Sequence, residues 1–225
     1  MEIDKVLTAF TASLLLITIS ELGDKTFFIA VILATRHSHR IVFSSVLAAL
    51  GLMTVLSVAL GQVVSLFPKE YTHYGAIALF LIFGLKLIYD ASQMSSKSEE
   101  AIVHEATEAV ETQGSPNAIA KLPIFGKFLS GILARYPWLG VWTQAFVMTF
   151  VAEWGDRTQI STIALAAAYN PVFVTVGAIV GHGICTAIAV IGGRLIAGKI
   201  AERVITAVGG FLFLIFGITA YFQGS

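Results

Sequence analysis

Apolar residues run along this chain in stretches that are long for the core of a small soluble domain. The first extends from Leu7 to Ala34, and others follow at roughly 41 to 66, 73 to 90, 138 to 167, 171 to 197 and 203 to 222. Each reaches the ~18 to 20 residues that carry a helix across a bilayer, and the alternating ~10-residue segments of an outer-membrane barrel are absent. The pattern predicts an all-α integral membrane protein with six transmembrane helices. Polar positions gather in one long connection, 91 to 137. Its first part, SKSEEAIVHEATEAVETQGSPN, is acidic and rich in Ser and Thr, which favours a solvated, mobile segment. Its second part, LPIFGKFLSGILARYP, puts Ile124, Phe125, Phe128, Leu129, Ile132 and Leu133 on one helical face, with Lys127 and Arg135 elsewhere. That is the pattern of a short helix lying on a membrane surface.

The apolar runs repeat. Sliding the chain by 132 residues aligns Thr11 with Thr143, Glu21 with Glu153, Gly23 with Gly155, Asp24 with Asp156 and Thr26 with Thr158. The register continues through Leu33 and Leu165, Gly51 and Gly183, Thr54 and Thr186, and Gly61 and Gly193; after one inserted residue, FLIFG at 80 to 84 matches FLIFG at 213 to 217. Three spans per copy is an odd number, so the copies enter the membrane from opposite sides as two inverted three-helix repeats, related by a pseudo-two-fold axis in its plane. The expected division is a first repeat at 1 to 90, a cytoplasmic loop at 91 to 137 and a second repeat at 138 to 222. Residues 221 to 225, YFQGS, read as the remnant of a purification tag.

Composition agrees with the membrane reading. Of 225 residues, 56% are hydrophobic and 12% charged, about half the charged share of a soluble domain. Formal net charge is zero and no basic block occurs, which argues against a nucleic-acid partner. The single cysteine, Cys185, permits no intrachain disulfide and reads as core. The first residues, MEIDKVLTAF, make a poor signal peptide and a plausible retained span. Arg36, Arg40, Lys97, Lys121, Lys127, Arg135, Lys199 and Arg203 fall on one side of the predicted topology, against Lys5 and Lys69 on the other. The richer side is expected to be cytoplasmic, with both termini periplasmic or lumenal.

Charge within the apolar runs is the chemical signal. SELGDKT at 20 to 26 and AEWGDRT at 152 to 158 each put two acids and one base near mid-span. Inverted symmetry would bring Glu21, Asp24, Glu153 and Asp156 together near the bilayer midplane. A charge at that depth costs about 2.5 to 3.5 kcal/mol on the insertion scale, so four acids require basic partners, protons or a bound cation. Lys25 and Arg157 supply part of that. Either motif alone could be an ordinary i to i+4 helix salt bridge, but two inverted copies favour function. Gly23 and Gly155 lie between the acids, where a break in the helix would free carbonyl oxygens. The four carboxylates, with Thr26, Thr158 and Gln159, form an all-oxygen set suited to hard divalent cations such as Ca2+, Mn2+ or Mg2+. His182, the only candidate imidazole within a span, reads as a packed or proton-relaying residue rather than as a ligand. Lys86 and Asp90 read as a boundary pair, and the run Glu99, Glu100, Glu105, Glu108 and Glu111 as a solvated face.

ELGDKT and EWGDRT both fit the signature ExGD[KR][TS], and the chain resembles the family of cation/proton antiporters that handle Mn2+ and Ca2+ in Golgi, chloroplast and cyanobacterial membranes. Its length and missing transit peptide are most similar to the cyanobacterial manganese exporter. The resemblance covers essentially the whole chain. It implies ion binding by Glu21, Gly23, Asp24, Lys25 and Thr26 with Glu153, Gly155, Asp156, Arg157 and Thr158. It implies a secondary transporter in a bacterial inner or thylakoid membrane that exports a divalent cation, Mn2+ or Ca2+, in exchange for protons by alternating access, with no prosthetic group. A passive divalent cation channel would share the acids but lack proton counterflow. A membrane-embedded enzyme would need a nucleophile or phosphate-binding cluster, and HExxH, GxSxG and clustered Arg are absent from the sequence. The sequence leaves the oligomeric state open.

Overall fold

The charged motifs that interrupt the apolar runs also interrupt the helices. The computed structural model describes residues 2–94, 96–113, 135–196 and 202–223, and every element among them is helical. The first run divides into α1 (Glu2–Glu21) and α2 (Lys25–Arg36), which meet at a bend of 66° between Val6–Glu21 and Lys25–Arg36. Then come α3 (His39–Val64), α4 (Lys69–Gln93) and α5 (Ser96–Gln113). The fourth run divides in the same way, into α6 (Pro137–Ala152) and α7 (Arg157–Ala168), before α8 (Pro171–Ile196) and α9 (Glu202–Gln223). Gly23 and Gly155 cause the breaks: their φ values of 77° and 82° lie in the left-handed region, where a Cβ would crowd the following carbonyl. Asp24 and Asp156 then return to extended backbone as N-caps of α2 and α7.

Four helices, His39–Val64, Glu70–Gln93, Pro171–Gly192 and Arg203–Phe222, are long and apolar enough to cross a membrane, and the bent α1–α2 pair makes up to five spans. Helix ends fall within a few residues of the expected ones. Large apolar side chains left exposed, including Leu52, Val55 and Leu60 on α3 and Ile82 and Leu85 on α4, form a surface suited to lipid.

Between helices in lipid, association depends on close van der Waals packing, because acyl chains are as apolar as leucine. Small residues provide that approach here. α4 and α9 pack along each other, and a Cβ added at Gly84 would stand 2.7 Å from Leu214 Cδ2. α1 packs along α8, where a Cβ at Gly177 would stand 2.5 Å from the Phe10 carbonyl oxygen. Two apolar clusters result. One joins α1, α4, α7, α8 and α9 around Leu16, Ile17, Phe80, Leu165 and Phe213. The other surrounds α2, with Phe27, Ile29 and Leu33 against Val42 and Val46 of α3 and Ala145 and Met148 of α6.

Exchanging α1 with α6, α2 with α7, α3 with α8 and α4 with α9 maps many packed pairs onto one another: α1 on α8 onto α6 on α3, α2 on α8 onto α7 on α3, and α4 on α9 onto itself. Two contacts lack a mate of similar extent. α4 packs on α7 and α9 on α1, whereas α9 does not pack comparably on α2, nor α4 on α6.

The acidic connection differs from the expectation of a solvated segment. Residues 96 to 113 form α5, which packs on α2 and touches α6. Ala106 and Val110 are buried in the cluster around α2, with Ile102 packed against it. These three positions follow an i, i+4, i+8 spacing, and Glu105, Glu108 and Glu111 between and beyond them are exposed. The surface-lying helix expected at 124 to 133 falls outside the described residues.

Candidate functional site

The site grows out of the two helix breaks. Glu21 is the last residue of α1, and Glu153 caps the end of α6; each is 2% exposed despite its charge. One carboxylate oxygen from each of Glu21, Glu153 and Asp156 lies within 4.8 Å of the other two. Two ligands of one ion, each ~2.0 to 2.6 Å from it, stand at most about 4 to 5 Å apart, so the three acids can share a divalent cation. Oε1 of Glu21 and Oε1 of Glu153 are buried without a hydrogen-bond partner. A buried carboxylate oxygen left unpaired is costly unless a proton or cation completes it. Threonines from the opposite motif stand beside these acids, Thr158 next to Glu21 and Thr26 next to Glu153, and both threonines are buried.

The two aspartates differ. Asp156 is a fully engaged N-cap: its Oδ1 accepts from the Gln159 backbone N–H at 2.7 Å, and its Oδ2 accepts from the Thr158 N–H at 3.1 Å and the Thr158 hydroxyl at 2.6 Å. The Gln159 amide oxygen accepts from the Gly155 N–H at 2.7 Å, so it fastens the turn. Asp24 caps α2 without any side-chain hydrogen bond to it. Its Oδ1 instead accepts from Arg157 Nη2 at 3.4 Å, an ion pair that joins the two breaks. Three of the four expected acids therefore converge directly, and Asp24 borders them through Arg157. All four nevertheless act on one another electrostatically. Lys25 turns away from the acids to an ion pair with Glu105 of α5, and Arg36 lies 3.6 Å from Glu111.

Further side chains join the site. Thr54 and Ser57 of α3, Thr162 of α7 and His182 of α8 line the pocket shared with Glu153, Asp156, Thr158 and Gln159. The hydroxyls of Thr54, Ser57 and Thr162 each donate to a carbonyl one turn back, which leaves lone pairs free for a ligand. The available signal was a pair of hydroxyls at i and i+3, Thr54 and Ser57, in one apolar span and a pair at i and i+4, Thr158 and Thr162, in another. Cys185 is buried and donates to the Thr18 carbonyl at 3.0 Å, consistent with a core residue. A second cleft, lined by Ser20, Gly23, Asp24, Leu87, Arg157 and Thr206, leads to the ion pair from between the first break and the α4–α9 pair.

The family described as "Divalent cation/proton antiporter GDT1" matches residues 9–95 and 141–225, so both motifs lie inside the match. A GDT1-like protein of Synechocystis is 47% identical over 216 residues, covering 96% of this chain and 98% of that protein. GDT1-like protein 3 of Oryza sativa subsp. indica is 43% identical over 216 residues, 95% of this chain and 74% of its own. Protein PAM71-homolog, chloroplastic, of Arabidopsis thaliana is 37% identical over 230 residues, 96% of this chain and 59% of its own. No solved structure matches the chain.

Proposed function

The chain belongs to the GDT1 family of divalent cation/proton antiporters, and from that premise we propose that it exports Mn2+ from the cytoplasm in exchange for protons by alternating access, with Ca2+ the second candidate cargo. A transporter of this kind is not an enzyme and uses no prosthetic group; the divalent cation is its substrate. The observation that carries the reading is the convergence of Glu21, Glu153 and Asp156 within 4.8 Å, drawn from both copies of the motif. One guanidinium, Arg157, cannot neutralise four carboxylates, and Lys25 is engaged elsewhere. The remaining charge must be met by protons or by a cation, and replacing one with the other is antiport.

Six spans in two inverted repeats give this exchange its geometry. With the Lys- and Arg-rich loops cytoplasmic, α1 and α7 run through the outer half of the membrane and α2 and α6 through the cytoplasmic half. The α4–α9 pair then packs on the two outer-half segments and leaves the two cytoplasmic-half segments without comparable contact. The cleft reaching Asp24 and Arg157 between Leu87 and Thr206 consequently lies on the cytoplasmic side. This asymmetry supports a cytoplasm-open form, ready to load metal. Rocking α4 and α9 onto α2 and α6 would close that side and open the other. A bacterial inner membrane or a thylakoid membrane is the expected location, in keeping with a cyanobacterial relative and one designated chloroplastic.

The test is metal uptake into proteoliposomes. Glu21→Gln, Glu153→Gln and Asp156→Asn should each abolish most transport, while protein remains in the membrane, because removing a mid-membrane charge eases insertion. Near-normal transport by any two of them would contradict the shared site. Competition between Mn2+ and Ca2+ in the same vesicles decides the cargo, and preferential uptake of Ca2+ would overturn the Mn2+ reading.

A further inference from the structure

His182 has a place in the site that neither motif predicts. It lies on α8, 5% exposed, and its Nδ1 is buried without a hydrogen-bond partner. That nitrogen stands 3.9 Å from Oε1 of Glu21, itself unpartnered, and the ring lines the pocket of Glu153 and Asp156. Asp156 is also the charge that acts on the imidazole. A separation of 3.9 Å is too long for a hydrogen bond, yet it suits two donors on one ion at ~2.0 to 2.6 Å each. Two facing donor atoms, each buried and without a hydrogen-bond partner, can close on one cation between them.

We propose that His182 is a nitrogen ligand of the transported ion and sets the preference for Mn2+ over Ca2+ and Mg2+. This rests on the reading of Glu21, Glu153 and Asp156 as the cation site. Ca2+ and Mg2+ are hard ions that take oxygen ligands, whereas Mn2+, also at home among carboxylates, belongs to the first-row transition series whose affinities extend to sites with nitrogen donors. The carboxylate majority keeps the site from becoming one for zinc or copper, whose sites favour more imidazole or thiolate. Position 50, which the repeat pairs with His182, is Leu. The imidazole is therefore an asymmetric addition to the doubled Glu, Asp and Thr of the two motifs.

Pulsed EPR of Mn2+ bound to the detergent-purified full chain tests this directly. The spectrum should carry a directly coordinated 14N signal, which converts to 15N when the protein is grown with 15N-histidine and disappears in His182→Gln. In that variant, which offers an amide oxygen in place of nitrogen, the Mn2+-to-Ca2+ affinity ratio should fall about ten-fold, within the range for altered metal surroundings. Mn2+ bound by the wild type without a nitrogen signal, but lost in Glu21→Gln, would overturn the role of His182 and leave the acidic site standing. A nitrogen signal that persists in His182→Gln would also overturn it. Failure of the wild type to bind Mn2+ at all would overturn the Mn2+ site, and with it this inference. Because the wild-type spectrum alone can contradict the proposal, a variant that fails to fold does not shield it.

Discussion

Gly155 shows how one residue fixes the site. A Cβ built on it would meet nothing within 4 Å, so space does not demand glycine there; the φ of 82° does. Replacing it costs about 1 to 2 kcal/mol of backbone strain for most residues and less for Asn, which tolerates the left-handed region. Transport per inserted molecule should therefore fall in the order Gly155→Asn, Gly155→Ala, Gly155→Val, with Asn retaining the most. Equal rates for Asn and Val, compared at matched membrane levels, would mean that the turn does not aim Glu153 and Asp156. The motif's residue types were legible in the sequence, because charges at mid-span need a reason. The divergence of Asp24 and Asp156 was not. Closely similar local spelling, ELGDKT against EWGDRT, gives an engaged cap in one copy and an ion pair to Arg157 in the other, while the α4–α9 pair meets the two halves differently. His182 stood out as a lone imidazole within a span, but the repeat gave no reason to make it a ligand, since its mate is Leu50.

At the scale of elements, α5 separates packing from charge. Its ion pairs, Lys25 with Glu105 and Arg36 with Glu111, join side chains between 35% and 61% exposed, and such solvated pairs contribute at most about 1 kcal/mol. Glu105→Gln combined with Glu111→Gln should leave transport within about two-fold of wild type, corresponding to a few tenths of a kcal/mol. Val110→Asp, which puts a charge into the cluster around α2, should release the helix and make it accessible to limited proteolysis. Abolished transport in the double Gln variant would instead assign these acids to metal handling. The long helices were readable from their apolar runs, and both breaks from glycine set between acids. The docking of α5 was obscured by composition: Ile102, Ala106 and Val110 are few and small among many acids. Their burial depends on the apolar face of α2, which local sequence does not report.

For the whole molecule, the central claim is that metal and protons alternate on one set of carboxylates. A protonated acid loses the charge and lone pair that bind metal, so apparent metal affinity must fall as pH falls, and metal binding must release protons. A channel could share this competition at equilibrium; only an antiporter converts it into work. The asymmetric packing of α4 and α9 on α1 and α7 is the kind of two-sidedness the proposed exchange requires, with loading and release on opposite faces. The most direct test uses proteoliposomes with equal Mn2+ inside and out, voltage held at zero by ionophore, and a pH gradient as the sole driving force. The account predicts net Mn2+ movement toward the acidic compartment, against the metal gradient that develops, and loss of that movement when the pH gradient is collapsed. Downhill Mn2+ conduction by the same protein, with no accumulation under the pH gradient, would contradict antiport and identify a channel.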